Sequence, residues 1–293
     1  MRVGATLALG CFLVLLMGCH LGGARRVIVG SKNFTEQIVL AELVAQQIES
    51  HTGLRVERRV NLGGTLICQQ ALRAGQIDLY VEYTGTALTA VLGESPTSNR
   101  VEVYDRVKNA YAKRFGFEVT EPLGFNNTFA MVVRGEEARR LKLRTISDIA
   151  PYASRWRAGF GYEFMERPDG FHGWVETYGL HFARPPRIMD LGLIYRALKE
   201  KQVDIVAGNS TDGLIDALDL FVLDDDRRYF PPYEAVPVVR GESLERYREL
   251  RDVLRALGGR ISDAEMRRLN YAVDGEHRDV AQAVREFRQA KGF

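Results

Sequence analysis

The chain has 293 residues, of which 46% are hydrophobic and 27% are charged, enough for a large core in one two-lobed unit or two small domains. Its 40 Lys and Arg residues are interspersed with 38 Asp and Glu residues, and the formal net charge is +2. This balance gives no support for nucleic acid or an anionic membrane surface as a partner.

The N-terminus has the pattern of a bacterial lipoprotein export signal. An apolar run over residues 3–18 ends in Leu-Met-Gly-Cys at Leu16 to Cys19. A membrane-spanning helix needs about 20 apolar residues and firmer flanks, so we expect cleavage after residue 18. Residues 1–18 are thus predicted to be a signal peptide, Cys19 to carry lipid, and residues 19–26 to form a tether. An uncleaved signal anchor is the alternative.

Processing would leave one thiol in the mature domain. Cys11 would be lost with the signal and Cys19 acylated, so no disulfide could pair with Cys68. Cys68 falls on a predicted helix beginning at Thr65, where a small core residue is expected. None of the five His residues has a neighbour that suggests a catalytic pair with a thiol.

The first predicted strand is Val27–Val29, and the turn that follows it is a candidate ligand-binding element. Ser31 or Thr35 could cap the helix that follows, and its free N–H groups beside Lys32 would suit an anionic group. Simple capping with a solvated Lys32 is the alternative. The glycines around Gly64 form no GxGxxG motif or P-loop, so nucleotide binding has no support.

Strand, turn and helix units recur in the same order in both halves of the chain. The first pair comprises Val27–Glu36 and Trp156–Phe164, and the second comprises residues 71–86 and 197–213. The repetition predicts an α/β fold with two related lobes whose strand ends face a shared cleft. Two helix-strand units within a single α/β domain are the alternative.

The chain is predicted to cross between these lobes twice. Lobe 1 would comprise residues 27–128 and 234–293, and lobe 2 residues 129–233. The amphipathic segment that begins at Asp279 is predicted to be a terminal helix docked on lobe 1.

Five short motifs in fixed order span nearly the whole mature chain. They are Gly-Ser-Lys-Asn-Phe-Thr-Glu-Gln at Gly30–Gln37, Glu-Tyr-Thr-Gly-Thr at Glu82–Thr86, Gly-Phe-Asn-Asn-Thr at Gly124–Thr128, Ser-Thr-Asp-Gly at Ser210–Gly213 and Phe-Pro-Pro-Tyr at Phe230–Tyr233. Together they resemble the glycine betaine/choline-type substrate-binding proteins of osmoprotectant ABC transporters.

The resemblance implies a periplasmic-binding-protein fold of type II, with two crossovers, in which each lobe is a mixed sheet flanked by helices. It also implies a monomer without cofactor or metal, held by lipid on the periplasmic or cell-surface side, that serves an ABC permease in the cytoplasmic membrane. The expected ligand is a quaternary ammonium compound such as glycine betaine, choline or carnitine.

The same resemblance assigns site residues. A trimethylammonium group cannot donate an N–H hydrogen bond, so aromatic faces hold it, while cations and hydroxyls meet a ligand carboxylate. The implied ligand-binding residues are Tyr83, Phe129 and Tyr233 in the cage, Lys32, Thr86 and Arg167 on the carboxylate side, and Asn209. Asn209 stands where an aromatic residue is expected, and Phe129 lacks a hydroxyl that the family often has there. Ergothioneine or another polar betaine is therefore an alternative ligand.

Two other classes of function compete with a transport receptor. An enzyme could use Asp212 with Ser210, or Glu163 with Glu166, but no His-Ser, metal-spaced or phosphate-binding set completes a site. A surface lipoprotein with an adhesin or scaffold role would need no pre-formed cleft.

Overall fold

The computed structural model describes residues 26–293. The predicted signal peptide, the lipidation site Cys19 and the tether up to residue 25 lie outside the described residues. No helix within residues 26–293 has the length and apolar character needed to cross a membrane.

Residues 26–293 form ten strands and fourteen α-helices, together with a π-helix (Ala87–Val91) and two 3-10 helices (Ile146–Ile149 and Leu191–Leu193). The strands are β1 (Arg26–Gly30), β2 (Arg55–Arg59), β3 (Leu79–Tyr83), β4 (Phe117–Val119), β5 (Phe129–Arg134), β6 (Ala158–Phe160), β7 (Arg187–Ile188), β8 (Ile205–Asn209), β9 (Leu220–Leu223) and β10 (Ala235–Arg240). The helices up to the return crossing are α1 (Thr35–His51), α2 (Thr65–Arg73), α3 (Thr84–Thr86), α4 (Arg100–Phe115), α5 (Gly135–Leu141), α6 (Ala150–Ala153), α7 (Tyr162–Glu166), α8 (Phe171–Tyr178), α9 (Ile194–Lys199) and α10 (Leu214–Ala217). The remaining helices are α11 (Gly241–Arg246), α12 (Leu250–Arg255), α13 (Asp263–Asp274) and α14 (Val280–Lys291).

Two five-stranded sheets have the same topology. The first has the order β2-β1-β3-β10-β4 and the second the order β7-β6-β8-β5-β9. In each sheet the first three strands are parallel, and the fourth strand, β10 or β5, runs antiparallel to both of its neighbours. This repetition confirms the predicted fold class of two mixed sheets flanked by helices.

Strand β10 shows how the chain returns from the second sheet to the first. β5 to β9 form the second sheet, and β10 brings the chain back into the first sheet after all of them. The two connecting segments lie side by side, with an antiparallel bridge between Asn126 and Glu234. The exact lobe boundaries, 27–128 with 234–293 and 129–233, stay predictions.

Central strands are buried on both faces because helices cover each side of the sheet. All five residues of β3, including Glu82, are buried. Cys68 on α2 is fully buried within the same lobe, in agreement with its predicted core position. The terminal helix α14 buries Ala283 and Val284, and Arg288 on it donates to Gln47 of α1 over 3.0 Å, so it is docked as predicted.

The predicted cap of the first helix is wrong. The residue before α1 is Phe34, and its side chain makes no capping hydrogen bond. Ser31 accepts a hydrogen bond from the Asn61 amide over 2.9 Å, and Thr35 donates to Asp274 on α13 over 2.6 Å. Both hydroxyls are used to join segments that are distant in sequence, so neither is available to the helix end.

Candidate functional site

A cavity of about 190 Å³ lies where the two sheets face each other. Pockets for drug-sized ligands usually measure about 300–1,000 Å³, so this one suits a smaller solute. All seven residues that the sequence predicted for ligand binding line it: Lys32, Tyr83, Thr86, Phe129, Arg167, Asn209 and Tyr233. The structure thus brings them together, while their role as ligand contacts stays a prediction.

Strand ends in both sheets place these side chains. Tyr83 is the last residue of β3, and Asn209 is the last residue of β8, the equivalent strand of the second sheet. Phe129 opens β5 and is paired in register with Asn209. Ligands of α/β proteins bind at the carboxyl ends of parallel strands, and both ends open into the same cavity.

Aromatic rings form much of the cavity wall. The Phe129 ring packs edge-on against Tyr233 and Phe164, with centroids 5.8 and 5.0 Å away. The Tyr83 ring is stacked beside that of Phe34 at 6.4 Å. Phe34 and Phe164 line the cavity as well, although neither was among the residues predicted to bind ligand. Both belong to the repeated strand-turn-helix units, which was the available signal.

Arg167 is compensated within the protein. Its Nε and Nη2 donate to the two carboxylate oxygens of Asp169 over 2.8 and 2.5 Å, and its Nη1 donates to Thr86 over 3.0 Å. Burial raises the pKa of Asp169, but the charge and hydrogen bonds of Arg167 outweigh burial and hold that pKa below its usual value. The guanidinium lies over the Phe129 ring, 4.9 Å from its centroid.

Lys32 also has an internal partner. Its Nζ lies 2.5 Å from Oε1 of Glu82, and the two side chains are 2% and 0% exposed. Glu82 accepts further hydrogen bonds from the Tyr80 hydroxyl and the Tyr83 amide, at 3.1 and 2.7 Å. The alternative of a solvated Lys32 is therefore wrong. Removing either member of this buried pair would leave the other charge without a partner, which would destabilise the fold.

A third buried carboxylate, Glu36, lies at the hydroxyl end of Tyr83. Glu36 accepts hydrogen bonds from the hydroxyls of Tyr83 and Thr211, at 2.6 and 2.5 Å. The side-chain amides of Asn127 and Asn270 donate to it over 2.7 and 2.9 Å. Burial raises the pKa of Glu36 in spite of these four donors, none of which is charged. Tyr83 ends β3 of the first sheet, Thr211 follows β8 of the second sheet and Asn127 lies in a connecting segment, so Glu36 joins the lobes behind the cavity.

Asn209 is oriented by a carboxylate. Oδ2 of Asp212 accepts the backbone N–H of Asn209 over 3.0 Å and its side-chain amide over 3.4 Å. The Tyr195 hydroxyl donates to the same oxygen over 2.5 Å. Burial raises the pKa of Asp212 to about 7. Because Nδ2 faces Asp212, Oδ1 is the free end of the amide, and no group within residues 26–293 donates to it.

Three of the four residues proposed for enzymatic roles, Asp212, Ser210 and Glu163, hydrogen-bond to other parts of the protein, and Glu166 is exposed. Asp212 bonds Asn209 and Tyr195, and the Ser210 hydroxyl accepts the amide of Thr128 over 3.1 Å. Glu163 accepts the amide of Thr65. In the described part of the chain, no group of three or more His, Cys, Asp or Glu side chains could hold a metal ion.

Two lobes of equal topology around a small cavity of aromatic and polar groups define a solute-binding protein of the two-lobed class. The chain belongs to the family described as the substrate-binding domain of the ABC-type glycine betaine transport system, which matches residues 25–290. Proteins of this family are extracytoplasmic binding components of transport systems, so the predicted function is confirmed at this level.

Similar proteins agree with this assignment. The carnitine transport binding protein OpuCC of Listeria monocytogenes is 35% identical over 279 residues, which cover 93% of this chain and 90% of that protein. The ergothioneine transport permease/ergothioneine binding protein EgtU of Helicobacter pylori is 32% identical, over 100% of this chain and 53% of the relative. A crystal structure described as a glycine betaine/carnitine/choline ABC transporter is 34% identical, with a TM-score of 0.74 over 90% of this chain and 98% of that one.

The Lys32–Glu82 pair predicts a strong and non-additive effect on stability. Lys32→Met should lower the free energy of unfolding by about 3–5 kcal/mol, because it leaves a buried carboxylate unpaired. Lys32→Met combined with Glu82→Gln should be more stable than Lys32→Met alone. Urea unfolding without added solute measures each value. Arg139→Met, at an ion pair whose side chains are 65% and 68% exposed, is the control and should change little. A small effect of Lys32→Met would contradict the prediction.

The raised pKa of Asp212 predicts a pH-dependent contribution to stability. The folded state favours the neutral carboxyl, so this contribution is complete below about pH 4 and is lost as the pH rises through about 7. Asn cannot titrate, so the unfolding free energy of the wild type minus that of Asp212→Asn should fall between these values and level off above them. Urea unfolding at five pH values measures the difference. A difference that is flat with pH would refute the argument.

Proposed function

We propose that this protein is the lipid-anchored receptor of an ABC importer and that its cavity captures a quaternary ammonium compound. The observation that carries the proposal is the meeting of Tyr83, Phe129 and Tyr233 with Thr86 and Arg167 around one small cavity. Aromatic faces attract a cation that has no N–H group to donate, and each ring contributes about 0.5–2 kcal/mol when the cation is desolvated.

The opposite end of the ligand would meet polar donors. Arg167 has five N–H groups, and its contacts with Asp169 and Thr86 occupy three of them. The remaining two can donate to a ligand carboxylate, while Asp169 balances the charge. Because Lys32 is paired with Glu82, we propose that it acts on the ligand through its position over the Tyr83 ring, where its Nζ lies 5.2 Å from the centroid.

The side chain of Asn209 helps to determine which compound is bound. Its free carbonyl oxygen suits a ligand that carries a hydrogen-bond donor, such as the hydroxyl of choline or carnitine, and glycine betaine has no such donor. An ergothioneine-like ligand, which has a ring N–H, is the second candidate, and the similarity to an ergothioneine-binding relative supports it. We therefore propose that the site favours a betaine or quaternary amine with a donor group over glycine betaine.

We also propose where the protein acts in the cell. The Leu16 to Cys19 sequence supports lipid attachment, and family membership supports an ABC permease as the partner. The receptor would act as a single chain on the outer side of the cytoplasmic membrane or at the cell surface. An adhesin or scaffold remains the competing function, and stabilisation by a small ligand would count against it.

Isothermal titration calorimetry tests the cage. We expect at least one of glycine betaine, choline, carnitine and ergothioneine to bind, and Phe129→Leu should weaken the best ligand about tenfold, or 1–2 kcal/mol. Phe221→Leu is the matched control on β9, where the ring is 36% exposed outside the cavity. Unchanged affinity in Phe129→Leu would disprove the cage, and no binding by any of the four would disprove the ligand class.

The same titrations test whether Asn209 accepts a hydrogen bond from a donor group of the ligand. Carnitine and γ-butyrobetaine differ by one hydroxyl, so only carnitine should lose affinity on Asn209→Leu if Asn209 accepts that hydroxyl. Equal losses for both would remove Asn209 from ligand selection. Tighter glycine betaine binding by Asn209→Tyr would indicate that this position is a missing cage wall.

Lipid attachment predicts that Cys19→Ala leaves the protein either unprocessed or released from the membrane. The acylated N-terminus is the anchor, and removal of the thiol prevents acylation. Membrane fractionation and mass spectrometry of the N-terminal peptide measure the outcome, with Cys68→Ala as the control that should stay anchored. A mature N-terminus at another residue, without lipid, would contradict the prediction.

A further inference from the structure

We propose that Glu163 is a positioning residue for ligand binding, which caps helix α2 of the opposite lobe and thereby stabilises the closed form of the cavity. Its Oε1 accepts the backbone N–H of Thr65 over 2.5 Å, and its Oε2 accepts the Thr65 hydroxyl over 3.3 Å. Glu163 lies on α7, beside the second sheet, whereas Thr65 is the first residue of α2, beside the first sheet.

Helix α2 lacks a cap of its own. The residue before it is Gly64, which has no side chain to accept the exposed N–H groups of the first turn. The N-terminus of a helix also carries partial positive charge, which favours a carboxylate. Glu163 therefore supplies from the other lobe the group that a Ser or Asp would supply in most helices.

Gly64 leaves the space that the carboxylate uses. A Cβ on Gly64 would lie 2.4 Å from Oε1 of Glu163, and the three nearest atoms to that Cβ all belong to Glu163. The backbone of Gly64 is extended, with φ −79°, so Ala fits its conformation. A side chain at Gly64 would therefore displace the Glu163 carboxylate from this position, although the backbone would accept it.

The contact between Glu163 and Thr65 lies at the edge of the cavity. Gly64 and Glu163 both line the cavity, and Oε2 of Glu163 lies 4.0 Å from Nη1 of Arg167, one turn further along the chain. Arg167 itself bonds Thr86 of the first lobe. Two contacts between the lobes therefore come from one short segment of lobe 2.

A contact that exists only between closed lobes acts on the lifetime of the complex. It lowers the free energy of the closed form without changing the open form that a ligand first meets. Loss of the contact should therefore raise the dissociation rate and leave the association rate unchanged. This inference goes beyond the proposed function, because it holds for any solute that the cavity encloses.

Five variants of the full chain test the contact: Glu163→Ala, Glu163→Gln, Gly64→Ala, the double variant of Glu163→Ala with Gly64→Ala, and Glu166→Ala as a control at an exposed position on the same helix. Hydrogen–deuterium exchange resolved to single residues follows the Thr65 amide. Glu163→Ala and Gly64→Ala should each raise its exchange rate about fivefold, the size of a typical lost cap. The double variant should match Glu163→Ala, because the collision with Cβ disappears along with the carboxylate. Glu163→Gln, which keeps an acceptor, should restore part of the protection.

Stopped-flow binding with glycine betaine, carnitine and ergothioneine as probes supplies the second measurement. Glu163→Ala and Gly64→Ala should each raise the dissociation rate about fivefold with an unchanged association rate. Additive effects in the double variant, or Thr65 exchange equal to that of the wild type with and without a bound probe, would overturn the proposal. If Thr65 exchange responds but no probe binds the wild type, the ligand class is wrong and the role of Glu163 stands.

Discussion

Compensation of buried charge is the constraint on which this cavity depends. Lys32 and Arg167 line it, and each is held by a carboxylate that is also buried, Glu82 or Asp169. An unpaired ion at either position would cost several kcal/mol, so the partners are as necessary as the cations. The aromatic wall depends on the same arrangement, because the Arg167 guanidinium packs on the Phe129 ring and Asp169 accepts the Tyr233 hydroxyl.

The pairing of both cations with carboxylates determines which groups and what net charge the cavity presents to a ligand. Its cations present directed N–H groups near rings, but their charge is already balanced by protein carboxylates. A solute that carries both charges, or one shielded charge, can therefore enter without leaving an uncompensated ion behind. The neutral amide of Asn209 adds a further polar surface of the same kind, and Asp212 holds it in place.

The repeated strand-turn-helix pattern predicted the two-lobed fold, and the family resemblance identified the residues that line the cavity. Tyr83 and Asn209 end equivalent strands of a repeated unit, and such ends converge in α/β proteins. The pairing of Lys32 with Glu82 spans 50 residues, and no local pattern identifies a partner at that distance. The cap by Glu163 spans 98 residues and depends on how the lobes meet, so neither helix α2 nor helix α7 reveals it alone. The capping prediction for Ser31 failed for the same reason, since its hydroxyl serves a distant segment.

The paired connecting segments have a mechanical consequence. The Asn127 amide donates to the Tyr233 carbonyl over 3.0 Å, and the Tyr233 amide donates to the Asn126 side chain over 2.7 Å, so the two segments form one narrow ribbon. Hydrogen bonds between the segments oppose sliding of one segment past the other, whereas bending of both together breaks none of them. We therefore expect the lobes to open and close by bending at these paired segments, with little sliding of one lobe past the other.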